Sequence, residues 1–192
     1  MKFLLFIIVQ VFPLMVILYF AVRFKKPTEN AGWIVEVDSE CKCWTSQNFE
    51  HRSFRWTGEC VSGFAHGAGE LTVIQNGFDY AFFSGSLVNG KAEGAGQILW
   101  LDGDRFEGHF RKGSPEGFGR MYNDDGDYYE GTFKNGQRWG MGTYWYEPGN
   151  RLLKYVGSWE AGLKHGAGTL FFRDGTQISR SYESGKLIST RE

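Results

Sequence analysis

The sequence predicts an all-β fold, an elongated antiparallel sheet of stacked β-hairpins, preceded by one N-terminal transmembrane helix. Three observations predict it. A glycine-rich phrase recurs five times at intervals of 23 to 27 residues. The 192 residues include 27 glycines, 17 phenylalanines, 9 tyrosines and 7 tryptophans but only 4 prolines, a composition that favours sheet and turns. Residues 3–22 carry no charged side chain and, as a helix, would span about 30 Å.

The recurring phrase begins with an aromatic residue, a glycine two positions later and a third side chain after two more. The five copies are Trp56/Gly58/Cys60, Phe83/Gly85/Leu87, Phe106/Gly108/Phe110, Tyr129/Gly131/Phe133 and Tyr155/Gly157/Trp159. A turn glycine and a Gly-x-Gly pair follow each copy at fixed offsets. Repeats of this period are typical of arrays of supersecondary units.

Each copy is interpreted as one β-hairpin. Residues i, i+2 and i+4 of a strand share a face, so the glycine leaves a slot over which a ring can lie. Pairs such as Asn89-Gly90 and Asn135-Gly136 predict the reversal inside a hairpin, because such turns need positive φ. Pairs such as Asp102-Gly103 and Asp125-Gly126 predict the reversal into the next copy.

The phrase resembles the MORN repeat, and the best copy runs from Tyr155 through Gly168 to Asp174-Gly175. The resemblance covers Trp56 to about Gly175 and implies a non-catalytic scaffold or protein-interaction module, with phospholipid-headgroup binding as the alternative. A degenerate sixth copy has Arg180 in place of the central glycine and is expected to form an exposed last strand. The predicted organisation is therefore an anchor (1–26), a linker and N-terminal cap (27–54), five repeats (55–177) and a C-terminal cap (178–192).

Charge is divided unevenly along the chain. The first 26 residues hold Lys2, Arg23, Lys25 and Lys26 and no acid, whereas the remainder holds 17 basic and 22 acidic residues, a formal net charge of −5. That balance excludes the electrostatic signature of a nucleic-acid-binding domain and disfavours binding of the repeats to anionic lipid. The basic flank after residue 22 favours a cytosolic repeat domain by the positive-inside rule.

The three cysteines bear on two further questions, the disulfide pairing and the side of the membrane on which the repeats lie. By parity alone, either Cys41 or Cys43 could pair with Cys60, and a thiol-redox or metal site at these residues is a third hypothesis. Similarity to exported bacterial MORN-like proteins, which share a Cys-Lys-x-Trp phrase and a Trp-x-Gly-x-Cys first copy, implies the pair Cys41–Cys60. A disulfide needs an oxidising compartment, which opposes the charge rule and favours the extracytoplasmic side.

No catalytic, cofactor or metal site is predicted. The segment from Gly85 to Ala92 approaches a phosphate-binding loop, but Ala92 stands where that loop needs Ser or Thr. His66 and His165 occupy a repeat position that elsewhere holds Glu or Trp, so the position in the repeat explains them better than catalysis does. Because a large aromatic face is seldom left in water, self-association is a further expectation.

Overall fold

A computed structural model describes residues 32–45 and 51–191 of the protein. Those residues form strands and turns, and no helix among them is long and apolar enough to cross a membrane. The predicted transmembrane helix at residues 3–22 lies outside the described residues. The strands are β1 Gly32–Glu36, β2 Lys42–Thr45, β3 Arg52–Trp56, β4 Glu59–Val61, β5 Phe64–Gln75, β6 Phe78–Val88, β7 Lys91–Trp100, β8 Arg105–Arg111, β9 Ser114–Tyr122, β10 Tyr128–Lys134, β11 Gln137–Trp145, β12 Leu152–Glu160, β13 Leu163–Phe172, β14 Gln177–Glu183 and β15 Lys186–Arg191.

All of these strands belong to one sheet. From β5 to β15 the order in space follows the order in the chain, and every neighbouring pair is antiparallel. This confirms the all-β prediction of stacked hairpins. Only short turns are needed, since each strand pairs with the strands before and after it.

The hairpin tips lie along one edge of the sheet. Each tip is a two-residue turn with positive φ at both positions, at Ser62, Asn89, Lys112, Asn135, Ala161 and Ser184 and the glycine after each. This is the type I′ geometry that matches the twist of the flanking strands. The glycine N–H of each tip from Gly90 onward donates to a carbonyl of the preceding hairpin, for example Gly113 to Ala92 at 2.9 Å. Successive tips are thereby hydrogen-bonded to one another.

A row of glycines crosses the sheet, one on each strand from β5 to β13. Its members, in register, are Gly69, Gly85, Gly96, Gly108, Gly119, Gly131, Gly142, Gly157 and Gly168. The ring that opens each copy lies over its own central glycine and over the glycine paired with it. The Tyr155 ring, for example, fills the space where a Cβ at Gly157 or Gly168 would be. The row ends at Arg180 of β14, which faces Gly168.

The N-terminal cap folds onto the first hairpins. Strand β3 pairs antiparallel with the end of β5, β1 runs parallel to β3, and β2 pairs antiparallel with β1. Strand β2 then crosses the tips of two hairpins, because the N–H groups of Lys42 and Trp44 donate to the carbonyls of Gly63 and Gly90 at 3.0 and 2.7 Å. The cap thus covers the same sheet face on which the rings lie.

Candidate functional site

The face that carries the rings, here called the core face, is packed as a continuous zigzag of aromatic side chains. Neighbouring rings meet edge to face with centroids 5.0 to 5.7 Å apart. The zigzag runs Phe83, Phe110, Phe106, Phe133, Tyr129, Trp159, Tyr155, Tyr182. All eight are buried. In an edge-to-face contact the positive edge of one ring meets the negative face of the next, which is favourable. The row of rings therefore holds the hairpins in register.

The predicted repeat residues all lie in this arrangement. Trp56, Phe83, Phe106, Tyr129 and Tyr155 pack over Gly58, Gly85, Gly108, Gly131 and Gly157, while Phe110, Phe133 and Trp159 fill the positions between them. The uncovered aromatic face expected from the sequence is not observed, because the rings bury one another and bare glycine backbone. This removes the apolar patch on which the self-association prediction was based, and that prediction remains untested.

Over the first hairpins the core face is covered by the cap. The Trp44 ring packs on Gly113, and the Trp33 ring lies 2.8 Å from the position of a Cβ at Gly90. Between the cap and the sheet is a cavity of 140 Å³, lined mainly by apolar side chains such as Phe83 and Trp100.

The cysteines lie in the same region. Cys41 and Cys60 form a disulfide with Cα atoms 6.0 Å apart, which joins the β1–β2 hairpin to β4. Cys43 is a free, buried thiol, and burial raises its pKa to about 12. A thiol held protonated is a poor nucleophile and metal ligand. Among the described residues no group of three or more His, Cys, Asp or Glu side chains is arranged to hold a metal ion.

Beyond the cap, the core face changes character at the residue two positions after each tip glycine. In the first three hairpins this residue is Ala65, Ala92 or Pro115, and in the next two it is Arg138 or Lys164. Register places both cations opposite the last aromatic residue of their copy, Phe133 and Trp159. We call the surface formed by Arg138, Lys164, Arg180 and the rings beneath them the cationic half of the core face.

Each of the first two cations lies over aromatic rings. The Arg138 Cζ is 4.4 Å from the centroid of Trp159 and 5.4 Å from that of Tyr144. The Lys164 Nζ is 4.6 Å from the centroid of Tyr155 and donates a 2.8 Å hydrogen bond to the Tyr146 hydroxyl. Cation–π contacts and aliphatic stems stabilise the rings, and both residues are partly buried.

Several positive charges lie near one another in the cationic half. Burial, followed by the nearby charges of Arg138 and Arg180, lowers the pKa of Lys164 to about 8. No carboxylate of the described chain lies within ion-pair distance of Lys164 or Arg180, and the buried Nε of Arg180 donates to no described acceptor. The expectation that Arg180 belongs to an exposed last strand is wrong, because β15 is the outer strand and Arg180 is half-buried beside Gly168.

The opposite face carries a second row of side chains. Tyr122, Tyr128 and Trp145 stack with centroids 5.6 and 5.7 Å apart, and their planes are within 26° of parallel. Arg105 lies 4.3 Å over Tyr122 at one end, and Lys154 lies 4.7 Å over Trp145 at the other. This outer stack links three consecutive hairpins across the sheet.

The two candidate histidines have a structural role that the sequence did not reveal. His66 and His165, and Glu93 and Glu116 at the same repeat position, all accept a hydrogen bond from the backbone N–H that opens the next tip, at 2.9 to 3.5 Å. In four copies an imidazole or a carboxylate supplies the acceptor, whereas Trp139 holds the position in the remaining copy. The Asp-Gly turns on the far edge are linked similarly, since Asp104 and Asp127 accept from the backbone N–H groups of Asp124 and Glu147.

These features define a hairpin-repeat protein whose hairpins are held in register by rings packed over glycines. The MORN repeat model matches residues 83–105, 106–128, 129–151 and 155–177, so the chain contains four MORN repeats. The copy that starts at Trp56 lies outside those matches, although its ring lies over Gly58 and Gly69 in the same way. No curated protein matches the chain. MORN repeats are generally modules for protein or lipid interaction.

Proposed function

We propose that the protein is a membrane-anchored, non-catalytic scaffold that binds a protein partner on the core face of its later repeats. The observation that carries the proposal is the asymmetry of that face. The chain's own cap covers the first hairpins, whereas in the later copies Lys164 and Arg180 have no carboxylate of the described chain within ion-pair distance. A surface of cations over aromatic rings is typical of protein interaction sites.

The proposed absence of catalysis is supported by the assignment of the reactive side chains. His66 and His165 accept backbone hydrogen bonds, Cys41 and Cys60 are joined, and Cys43 is buried with a raised pKa. None of these is a nucleophile paired with a base, the arrangement that acyl or phosphoryl transfer needs.

Anchoring is proposed from the apolar run at residues 3–22 and sidedness from the disulfide, which favours the extracytoplasmic side. Carbonate extraction of membranes tests the first: the chain is expected to stay in the pellet. Labelling of thiols in intact and permeabilised cells tests the second. Labelling of Cys41 and Cys60 without a reductant, and only after permeabilisation, would contradict an oxidising location.

The interaction itself is tested by crosslinking in membranes followed by pull-down of the 192-residue chain. A specific protein partner is expected in repeated experiments. Flotation with phosphatidylserine vesicles distinguishes this function from lipid binding. If the repeats bound lipid, the chain would float with the anionic vesicles even while detergent covers its apolar anchor. Such flotation without a protein partner would contradict the scaffold proposal.

A further inference from the structure

The amine of Lys164 lies among tyrosine rings in the cationic half of the core face. Its Nζ is 4.6 Å from the ring centroid of Tyr155 and 5.6 Å from those of Tyr146 and Tyr182. The same Nζ donates a 2.8 Å hydrogen bond to the Tyr146 hydroxyl. The side chain is half-buried, so the amine is held in place and still has a path to solvent.

The charges that act on this amine are mostly of its own sign. Arg138 of β11 and Arg180 of β14 both lower the pKa of Lys164, so both lie close enough for their charges to act on it. No carboxylate of the described chain lies within ion-pair distance of Lys164. The carboxylate of Asp127, whose charge reaches the neighbouring Tyr146, accepts hydrogen bonds from other donors. The site therefore favours loss of a proton and would favour an anion.

Burial and these charges leave much of the Lys164 amine neutral near physiological pH. Its pKa is lowered to about 8, first by burial and then by the two arginines. About a quarter of the amine is therefore neutral at pH 7.5, compared with about 0.1% for an ordinary lysine. A neutral amine is a nucleophile, and lysines are activated in this way in apolar surroundings beside other cations.

Carbon dioxide is the electrophile that suits this amine. It is small and uncharged, so it enters a partly buried site without the desolvation cost of an ion. The nitrogen lone pair would form an N–C bond with its carbon, one C–O π pair would move to oxygen, and one amine proton would pass to solvent. The product is an anionic carbamate. The positive charges that oppose protonation of the amine would stabilise it, and the Tyr146 hydroxyl could donate to it.

We propose that Lys164 is a carbon dioxide-binding residue, at which reversible carbamate formation replaces a positive charge on the core face with a negative one. Arg180 is the positioning residue of this site, and it stands opposite Gly168 where earlier copies carry their central glycine. The inference goes beyond the proposed function and does not depend on it, because the reaction needs no protein partner.

The test traps the carbamate on the 192-residue chain in detergent. The chain is equilibrated at pH 7.5 with ¹³C-labelled carbon dioxide and bicarbonate, ethylated with triethyloxonium ion, digested with trypsin and analysed by mass spectrometry. A trapped lysine resists trypsin, so residues 155–173 would remain one peptide that carries a labelled ethoxycarbonyl group. Lys154 is the internal reference, because its Nζ also lies over two rings, those of Trp145 and Phe171, on the opposite face.

Lys164 is expected to carry at least tenfold more label than Lys154. Arg180→Gly, which restores the residue of other copies, is expected to lower the label at Lys164 at least threefold, because the amine becomes more protonated and the anion loses a stabilising charge. Arg180→Lys keeps the charge and should retain most of the label. Arg111→Ala, which removes an exposed arginine, should stay within twofold of the parent. Circular dichroism checks that each variant is folded.

Equal labelling of Lys164 and Lys154, or no label at Lys164, would overturn the inference. An unchanged label in Arg180→Gly would also overturn it, because the neighbouring charge would then have no part in the reaction. Crosslinking of the parent chain separates this inference from the proposed function. A partner captured by a chain that takes up no label leaves the scaffold standing and removes the carbamate alone, whereas label at Lys164 without a partner does the reverse.

Discussion

Gly142→Ala should destabilise the protein because the Tyr129 ring already occupies the space of the new methyl group. A Cβ at Gly142 would be 2.5 Å from the ring's Cζ and closer still to Cε2 and the hydroxyl. Non-bonded carbons prefer about 3.5 to 4.0 Å. Tyr129 is 1% exposed and wedged against Phe133 and Trp159, so the ring has no free space into which to move. Overpacking of this kind costs about 1 to 3 kcal/mol of unfolding free energy.

The diagnostic measurement is a double-mutant cycle with Tyr129→Ala. Removing the ring alone is expected to cost about 3 to 5 kcal/mol. In that background Gly142→Ala meets no ring and recovers part of the cavity, and alanine is favoured over glycine in a strand by about 0.5 to 1 kcal/mol. The second substitution should therefore change from destabilising to neutral or stabilising, a coupling of about 2 to 4 kcal/mol.

The assay is urea unfolding of the 192-residue chain in detergent, followed by far-ultraviolet circular dichroism. Gly149→Ala is the matched control, because its Cβ would meet only the end of the flexible Glu147 side chain. It should change the unfolding free energy by less than about 1 kcal/mol. If the costs of Gly142→Ala and Tyr129→Ala add within about 0.5 kcal/mol, ring-over-glycine packing is not what the glycine row provides.

Three other predictions follow from the structure. Lys164 has a pKa of about 8 when folded and 10.5 in the reference state, so the unfolded chain binds more protons between those values. The unfolding free energy of the parent, measured relative to that of Lys164→Met, should therefore rise by about 2 kcal/mol from pH 8 to 10.5. The difference between their urea midpoints should change with pH in the same direction; a constant difference would contradict the lowered pKa. Replacing Cys41 and Cys60 by Ser should lower the unfolding free energy by about 3 kcal/mol, because the disulfide closes a loop of about 20 residues. Dithiothreitol should lower the melting temperature of the parent chain and leave that of the variant unchanged; a variant as stable as the oxidised parent would show that the cap is held without the disulfide. Glu116→Ala should cost about 1 kcal/mol by leaving the Asn135 N–H without its acceptor, while Glu116→Gln should cost less; equal losses would assign the effect to charge.

The sequence predicted the repeating part of the fold because its signals are local. The positive φ needed at a two-residue tip selects pairs such as Asn89-Gly90 and Asn135-Gly136, and the regular offsets place the rings and glycines on one face. The cap could not be derived in this way. Its strands are not repeated, and the parallel pairing of Val35 with Ser53 depends on contacts that no periodic pattern records.

The candidate site was predicted only in part. The sequence predicts the aromatic row. It indicates only that the repeat position of His66 and Glu93 accepts several residue types, whereas in the structure both side chains accept a hydrogen bond from the next tip. The cations were missed for a different reason. Arg138 and Lys164 break no glycine or aromatic rule of the repeat, and only the register shows that their side chains face the same side as Arg180. Comparing equivalent positions between copies would have revealed the change from alanine to cation.

The outer stack makes the length of this protein adjustable only in whole steps. Each hairpin contributes two adjoining members to the stack, such as Tyr128 and Trp145 within one copy. Loss of the complete β10–β11 copy would bring Tyr122 beside Lys154, which again places a cation at the end of the stack. Loss of a single strand would reverse the direction of every later strand and move the later hairpin tips to the opposite edge of the sheet. Evolution could thus lengthen or shorten the array without redesigning the cap.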